Sequence, residues 1–130
     1  MNAPRLVRFD RALIRDGVSL MPSALPFHAV HSFMLENWSG GERERGGHAH
    51  KAQTQALLVL ASRVFVLAEQ RNGDADKYLL RSDDPTWLVL YPGTWITLRM
   101  SQGSRLLAIA DGHYDEADYV RDRDAWKALA

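Results

Sequence analysis

The chain has 130 residues, with 16 Lys+Arg against 16 Asp+Glu, a formal net charge of zero, and no cysteine. Its length suits a single domain over residues 1–130 with one core, and the balanced charge without any basic block argues against a nucleic-acid or membrane-surface partner. Without cysteine, disulfides and thiolate metal sites are excluded.

Met1 to Asp10 carries Arg5, Arg8 and Asp10 but no apolar core, and no later run reaches a membrane-spanning length, so a soluble, cytoplasmic protein is expected. Between Val7 and Met21, the clusters Ala12-Leu13-Ile14 and Val18-Ser19-Leu20-Met21 flank the turn-like Arg15-Asp16-Gly17 and predict two short edge strands. Pro22 and Pro26 bracket a loop, and Ala29 to Glu36 reads as a core strand that Asn37-Trp38-Ser39-Gly40-Gly41 ends. The runs Thr54 to Leu60 and Arg63 to Glu69 lack clean alternation, which predicts strands covered on both faces. Arg71-Asn72-Gly73-Asp74 is a turn, and further strands are predicted at Lys77 to Arg81, Trp87 to Tyr91, Thr94 to Met100 and Arg105 to Ala110. Short strands at this spacing point to a closed barrel or a two-sheet sandwich. A short helix through Ala125 to Leu129, capped by Asp122 or Asp124, closes the chain.

The chemically densest stretch is Arg45-Gly46-Gly47-His48-Ala49-His50-Lys51. On a strand, side chains alternate, so His48 and His50 share one face and Ala49 takes the other. Three readings of the pair stand open. As metal ligands they lack company, because the position where small barrels often supply a glutamate is Gln55, and the later turn Tyr91-Pro92-Gly93-Thr94-Trp95-Ile96 has no histidine. As acid and base, two imidazoles titrating near neutrality suit proton transfer between adjacent carbons, with Arg45 matched to a phosphate or diphosphate and Gly46-Gly47 allowing close approach. As structural groups they would simply be hydrogen-bonded on a half-buried strand. Gln55 is a candidate partner for a histidine or a substrate hydroxyl, Trp38, Trp87 and Trp95 are candidate stacking or packing aromatics, and Asp115, Glu116, Asp118, Arg121 and Asp122 read as a solvated charge patch or helix start.

With these residues in hand, the sequence resembles the cupin-type sugar-nucleotide 3,4-ketoisomerases that act on dTDP-4-keto-6-deoxyglucose and also occur as a domain in polysaccharide-biosynthesis proteins. The resemblance begins loosely at Arg15-Asp16-Gly17-Val18-Ser19-Leu20 and Leu25-Pro26-Phe27. It is strongest at Arg45 to Lys51 with Gln55, and at His113-Tyr114-Asp115-Glu116-Ala117-Asp118-Tyr119-Val120-Arg121-Asp122, close to the family's closing Tyr-Asp-Glu-x-Asp-Tyr-Ile-Arg-Asp. It implies an all-β, cupin-type jelly-roll barrel with a short C-terminal helix, a homodimer, no metal and no cofactor. His48 and His50 would handle protons, and Arg45, Gln55, Lys51 and Trp95 would contact a nucleotide-linked sugar. The ketone of a dTDP-4-keto-6-deoxyhexose would move from C4 to C3 through an enediol. Where the family carries tyrosines in the strand before the histidine segment, this chain reads Phe33-Met34, and the glycine expected after the second core strand is Ser62. The alternative function is a nucleotide-sugar-binding or regulatory cupin without catalysis.

Overall fold

The computed structural model describes residues 3–8, 12–14, 17–19, 25–84 and 86–129. In chain order the strands are β1 (Arg5–Arg8), β2 (Ala12–Ile14), β3 (Gly17–Ser19), β4 (His31–Glu36), β5 (Arg43–His50), β6 (Gln55–Ala61), β7 (Arg63–Glu69), β8 (Ala75–Arg81), β9 (Thr86–Leu90), β10 (Trp95–Met100), β11 (Arg105–Ala110) and β12 (Tyr119–Val120). A 3-10 turn, Glu116–Asp118, precedes β12, and helix α1 (Arg123–Lys127) follows it. β2 and β3 form a hairpin; the other strands make two five-stranded antiparallel sheets, ordered β1-β9-β6-β11-β4 and β12-β5-β10-β7-β8, that face each other as a jelly-roll barrel.

Three apolar layers follow from strand alternation. Leu57, Leu88 and Leu106 of the first sheet meet Val66, Leu98 and Met100 of the second in the barrel interior. Each fully buried side chain of this size removes enough apolar surface from water to contribute about 1.5–3 kcal/mol. Ala56, Leu58, Trp87 and Val89 point to the outer face of the first sheet, where Leu25 and Phe27 pack on them. That double covering explains why Ala56 to Val59 and all of β9 are continuously buried. The same expectation fails for β7, which alternates: Phe65 is 42 % exposed while Val64 and Val66 are buried, because among the described residues no layer lies outside that sheet at Phe65. The third layer is Ala49, Trp95, Val120 and Trp126, on the outer face of the second sheet beneath α1.

The predicted strands appear with ends moved by a residue or two. Leu20, Met21 and Pro22, and the turn residues Arg15 and Asp16, lie outside the described residues. The turn at Arg71 to Asp74 is built by Gly73 at φ 98° and by the Asn72 side chain, which accepts from the Asp74 amide at 2.9 Å. Ser62 sits at φ 58°, a left-handed position that glycine occupies without strain, in line with the glycine expected there. α1 starts two residues earlier than predicted, with Asp122 capping the Asp124 amide. No helix among the described residues is long and apolar enough to cross a membrane.

Candidate active site

β5 brings the chemistry together through an irregularity in its pairing with β10. Ile96 pairs with His48 and Thr97 with Gly46, so Gly47 is an extra residue, a β-bulge. Both glycines have positive φ, 87° at Gly46 and 75° at Gly47, and a Cβ on Gly46 would lie 2.9 Å from the Ile96 carbonyl oxygen. In a regular strand Arg45 and His48 would face opposite ways, since odd and even positions alternate. The bulge shifts the phase by one. Arg45 therefore pairs with Leu98 and His48 with Ile96, and all four line the same cavity.

That cavity, of about 250 Å³, lies inside the barrel. Phe33, Leu35, Leu57, Leu106 and Ala108 form its apolar wall, and Arg45, His48, Gln55, Tyr119 and Arg121 supply the polar groups. Few polar groups on an apolar lining is the usual make-up of a small-molecule site. His50 shares His48's face, with ring centroids 5.3 Å apart, but stands behind it: only 7 % exposed, it borders a separate hollow of about 10 Å³ that also touches Gln55. The Tyr119 ring packs against both imidazoles, 5.0 Å from His48 and 4.4 Å from His50.

Electrostatics keep both imidazoles neutral. Burial, then the neighbouring His50 and the Arg121 guanidinium, lower the His48 pKa from 6.5 to about 4. Burial also lowers His50, against the opposing pull of Asp118. His50 Nδ1 lies 2.9 Å from Asp118 Oδ2, and both side chains are more than nine-tenths buried. Its Nε2, like His48 Nδ1, is buried with no hydrogen-bond partner among the described residues. Arg121 is held at the cavity mouth by Glu116, through Nε at 2.9 Å and Nη2 at 3.1 Å, and by stacking over Tyr119 at 4.4 Å. The same guanidinium and the Tyr114 hydroxyl, 2.6 Å from Glu116, hold the Glu116 carboxyl at about 2. Burial raises the Tyr119 pKa, which keeps its phenol protonated as a hydrogen-bond donor.

Of the residues singled out from sequence, Arg45, His48 and Gln55 meet in the cavity and His50 adjoins it. Two lie elsewhere. Ile96 points inward, so its neighbour points outward, where Trp95 is 4 % exposed and stacks on Trp126 at 5.4 Å under the Arg123 guanidinium. Lys51 follows the last residue of β5, is exposed, and lines neither the cavity nor the hollow at His50. The sequence reading does not single out Asp118, Tyr119 or Arg121 as site residues: it takes Asp118 and Arg121 as part of a solvated patch or helix start and quotes all three only within the closing motif that carries the resemblance. Among the described residues no three His, Asp or Glu side chains converge to hold a metal ion.

The family model FdtA, "WxcM-like, C-terminal", matches residues 17–130. Over 88 residues the chain is 30% identical to a TDP-4-oxo-6-deoxy-alpha-D-glucose-3,4-oxoisomerase of Aneurinibacillus thermoaerophilus; the match takes in 67% of this chain and 62% of that relative, less than two thirds of its length. In fold it is similar to QdtA, a sugar 3,4-ketoisomerase from Thermoanaerobacterium thermosaccharolyticum solved with TDP. The TM-score is 0.83 at 23% identity, over 95% of this chain and 91% of that one. It is similar too to WlaRB, a TDP-quinovose 3,4-ketoisomerase from Campylobacter jejuni, with a TM-score of 0.84 at 21% identity over 99% of this chain and 100% of that one. With the family model covering most of the chain and the cupin-type barrel matched end to end, the protein belongs to the FdtA family, WxcM-like, C-terminal.

Proposed function

We propose that this protein is an isomerase that moves the ketone of a TDP-linked 4-keto-6-deoxyhexose from C4 to C3. The observation that carries the reading is the neutral imidazole pair on one face of β5, with His48 in a barrel cavity that two guanidinium groups also line. A neutral imidazole takes the proton from C3, the C3–H electron pair becomes the C3=C4 double bond, and the C4 oxygen gains a proton to give the enediol. Protonation at C4 and loss of the O3 proton then leave the ketone at C3. Tyr119, and His48 as a neutral donor, suit stabilisation of charge on the enediol oxygens, while Arg45 and Arg121 suit a diphosphate. The 30% identity to an oxoisomerase supports the substrate class. The reading takes residues 1–130 as one domain, working as a homodimer in the cytoplasm on surface-glycan or deoxysugar synthesis.

Incubation with TDP-4-keto-6-deoxyglucose in deuterated water is the test: a product carrying deuterium at C4 and a C3 ketone is expected, and unchanged substrate refutes the activity. One observation favours a second reading, a nucleotide-sugar-binding cupin without turnover. The cavity wall from β4 is Phe33 and Leu35, neither of which offers a hydrogen bond to a sugar oxygen, and Met34 points away from the interior. TDP binding without isotope exchange would mark that outcome.

A further inference from the structure

The two histidines differ in one respect that their sequence motif does not reveal: only His50 is tied to a carboxylate. Asp118 reaches it from the 3-10 turn, 68 positions further along the chain. Both Asp118 oxygens are engaged by donors. Oδ1 accepts from the Ala52 amide at 2.7 Å, and Oδ2 lies 3.4 Å from the Gln53 amide and 2.9 Å from His50 Nδ1. Backbone amides can only donate and an ionised carboxylate can only accept, so the proton of a neutral His50 belongs on Nδ1. The lone pair then sits on Nε2, which is buried and without a hydrogen-bond partner among the described residues. The other charged or titratable groups acting on His50 are His48, Tyr119, Arg121 and Asp111, and none of them has a hydrogen bond to its ring.

We propose that Asp118 is a positioning residue that fixes His50 in the Nδ1–H tautomer, leaving the Nε2 lone pair free to accept a proton and making the two histidines unequal. This rests on the isomerase reading for its kinetic consequence, but the tautomer itself is a property of the free protein. Asp118→Asn is a sharp probe because it keeps shape while changing who donates. The short Ala52 contact demands an acceptor, so the asparagine oxygen takes the Oδ1 place and its amide nitrogen faces His50 Nδ1. The ring must then accept at Nδ1, carry its proton on Nε2, and lose the lone pair where it is needed.

The experiment combines 15N NMR of the histidine rings at neutral pH with kinetics on TDP-4-keto-6-deoxyglucose. Wild-type His50 is expected to show a protonated Nδ1 and a bare Nε2, and Asp118→Asn the reverse. kcat should fall by about 10²- to 10⁴-fold, with KM within about threefold, as when an orienting carboxylate is replaced beside a catalytic histidine. His50→Asn combined with Asp118→Asn should be no slower than His50→Asn alone, since residues acting as one unit are not additive. A wild-type His50 protonated on Nε2, an unchanged tautomer in Asp118→Asn, or a raised KM at unchanged kcat would each overturn the proposal. Because the wild-type spectrum needs neither substrate nor a folded variant, an inactive wild-type protein refutes the isomerase reading and still leaves the tautomer measured.

Discussion

The two sheets of the barrel do different work, and β6 and β5 show how. β6 lies inside its sheet between β9 and β11, buried on both faces by apolar side chains, and Gln55 at its start is the one residue of the strand that puts an amide beside the cavity. β5 lies between the full-length β10 and the two-residue β12, carries a bulge, and holds two imidazoles and a guanidinium on one side while Ala49 seals the other under the tryptophans. A wall of close-packed β-branched and leucine side chains is rigid and chemically inert; the facing wall is where polar side chains find partners and exposure. Substitutions in the first sheet should therefore move stability, and substitutions around β5 should move turnover.

The largest effect is expected from His50→Asn, with a loss of about 10²- to 10⁴-fold in kcat and a melting temperature within a few degrees of wild type. A kcat left near wild type would erase the distinction between the walls. Leu88→Ala comes next, from the opposite side: Leu88 is fully buried in the interior but does not line the cavity, so it should cost about 2–5 kcal/mol in denaturant unfolding while the folded fraction keeps its kcat. Gly46→Ala should cost about 1–3 kcal/mol, because its φ of 87° and the Ile96 carbonyl both resist a Cβ, and it should lower turnover as well by disturbing the bulge.

The pH response sharpens the same contrast. The pKa of His48 is about 4 in the folded chain against 6.5 when exposed, so the unfolded chain binds more protons between those values. The stability tied to keeping His48 neutral is present in full above pH 6.5 and is lost as pH falls toward 4, which unfolding curves across that window would register. The kcat profile should hold its plateau below pH 6.5, since burial lowers both histidines. The smallest effect belongs to Trp95→Phe: TDP affinity should not change, because the ring packs against Trp126 outside the barrel. A marked loss of affinity in calorimetry would restore Trp95 to the site.

Most of the barrel was legible because its strands are apolar runs cut by Asn-Gly, Pro-Gly and Gly-Ser turns. β1 was not, since Arg5–Arg8 has two charges in four residues and becomes a strand only by pairing with β9. β12 is two residues long and exists through its pairing with Ala49 and His50, a partner that local pattern cannot name. The histidine face was legible from alternation alone, but Arg45 joins it only through the bulge, and alternation gave Trp95 no side until Ile96 was seen pointing in. Asp118 looked like one more charge in an acidic stretch; its burial depends on meeting Ala52 and Gln53 across the fold.

The paired glycines of β5 also make that strand a kind of reading frame in space. Removing Gly47 would straighten the ribbon and turn every side chain on one flank of the deletion to the reverse of the sheet, leaving either Arg45 or the imidazoles looking into solvent or into the tryptophan layer. A library of one-residue deletions along the chain should thus find this glycine as unforgiving as the histidines, though it has no side chain to lose.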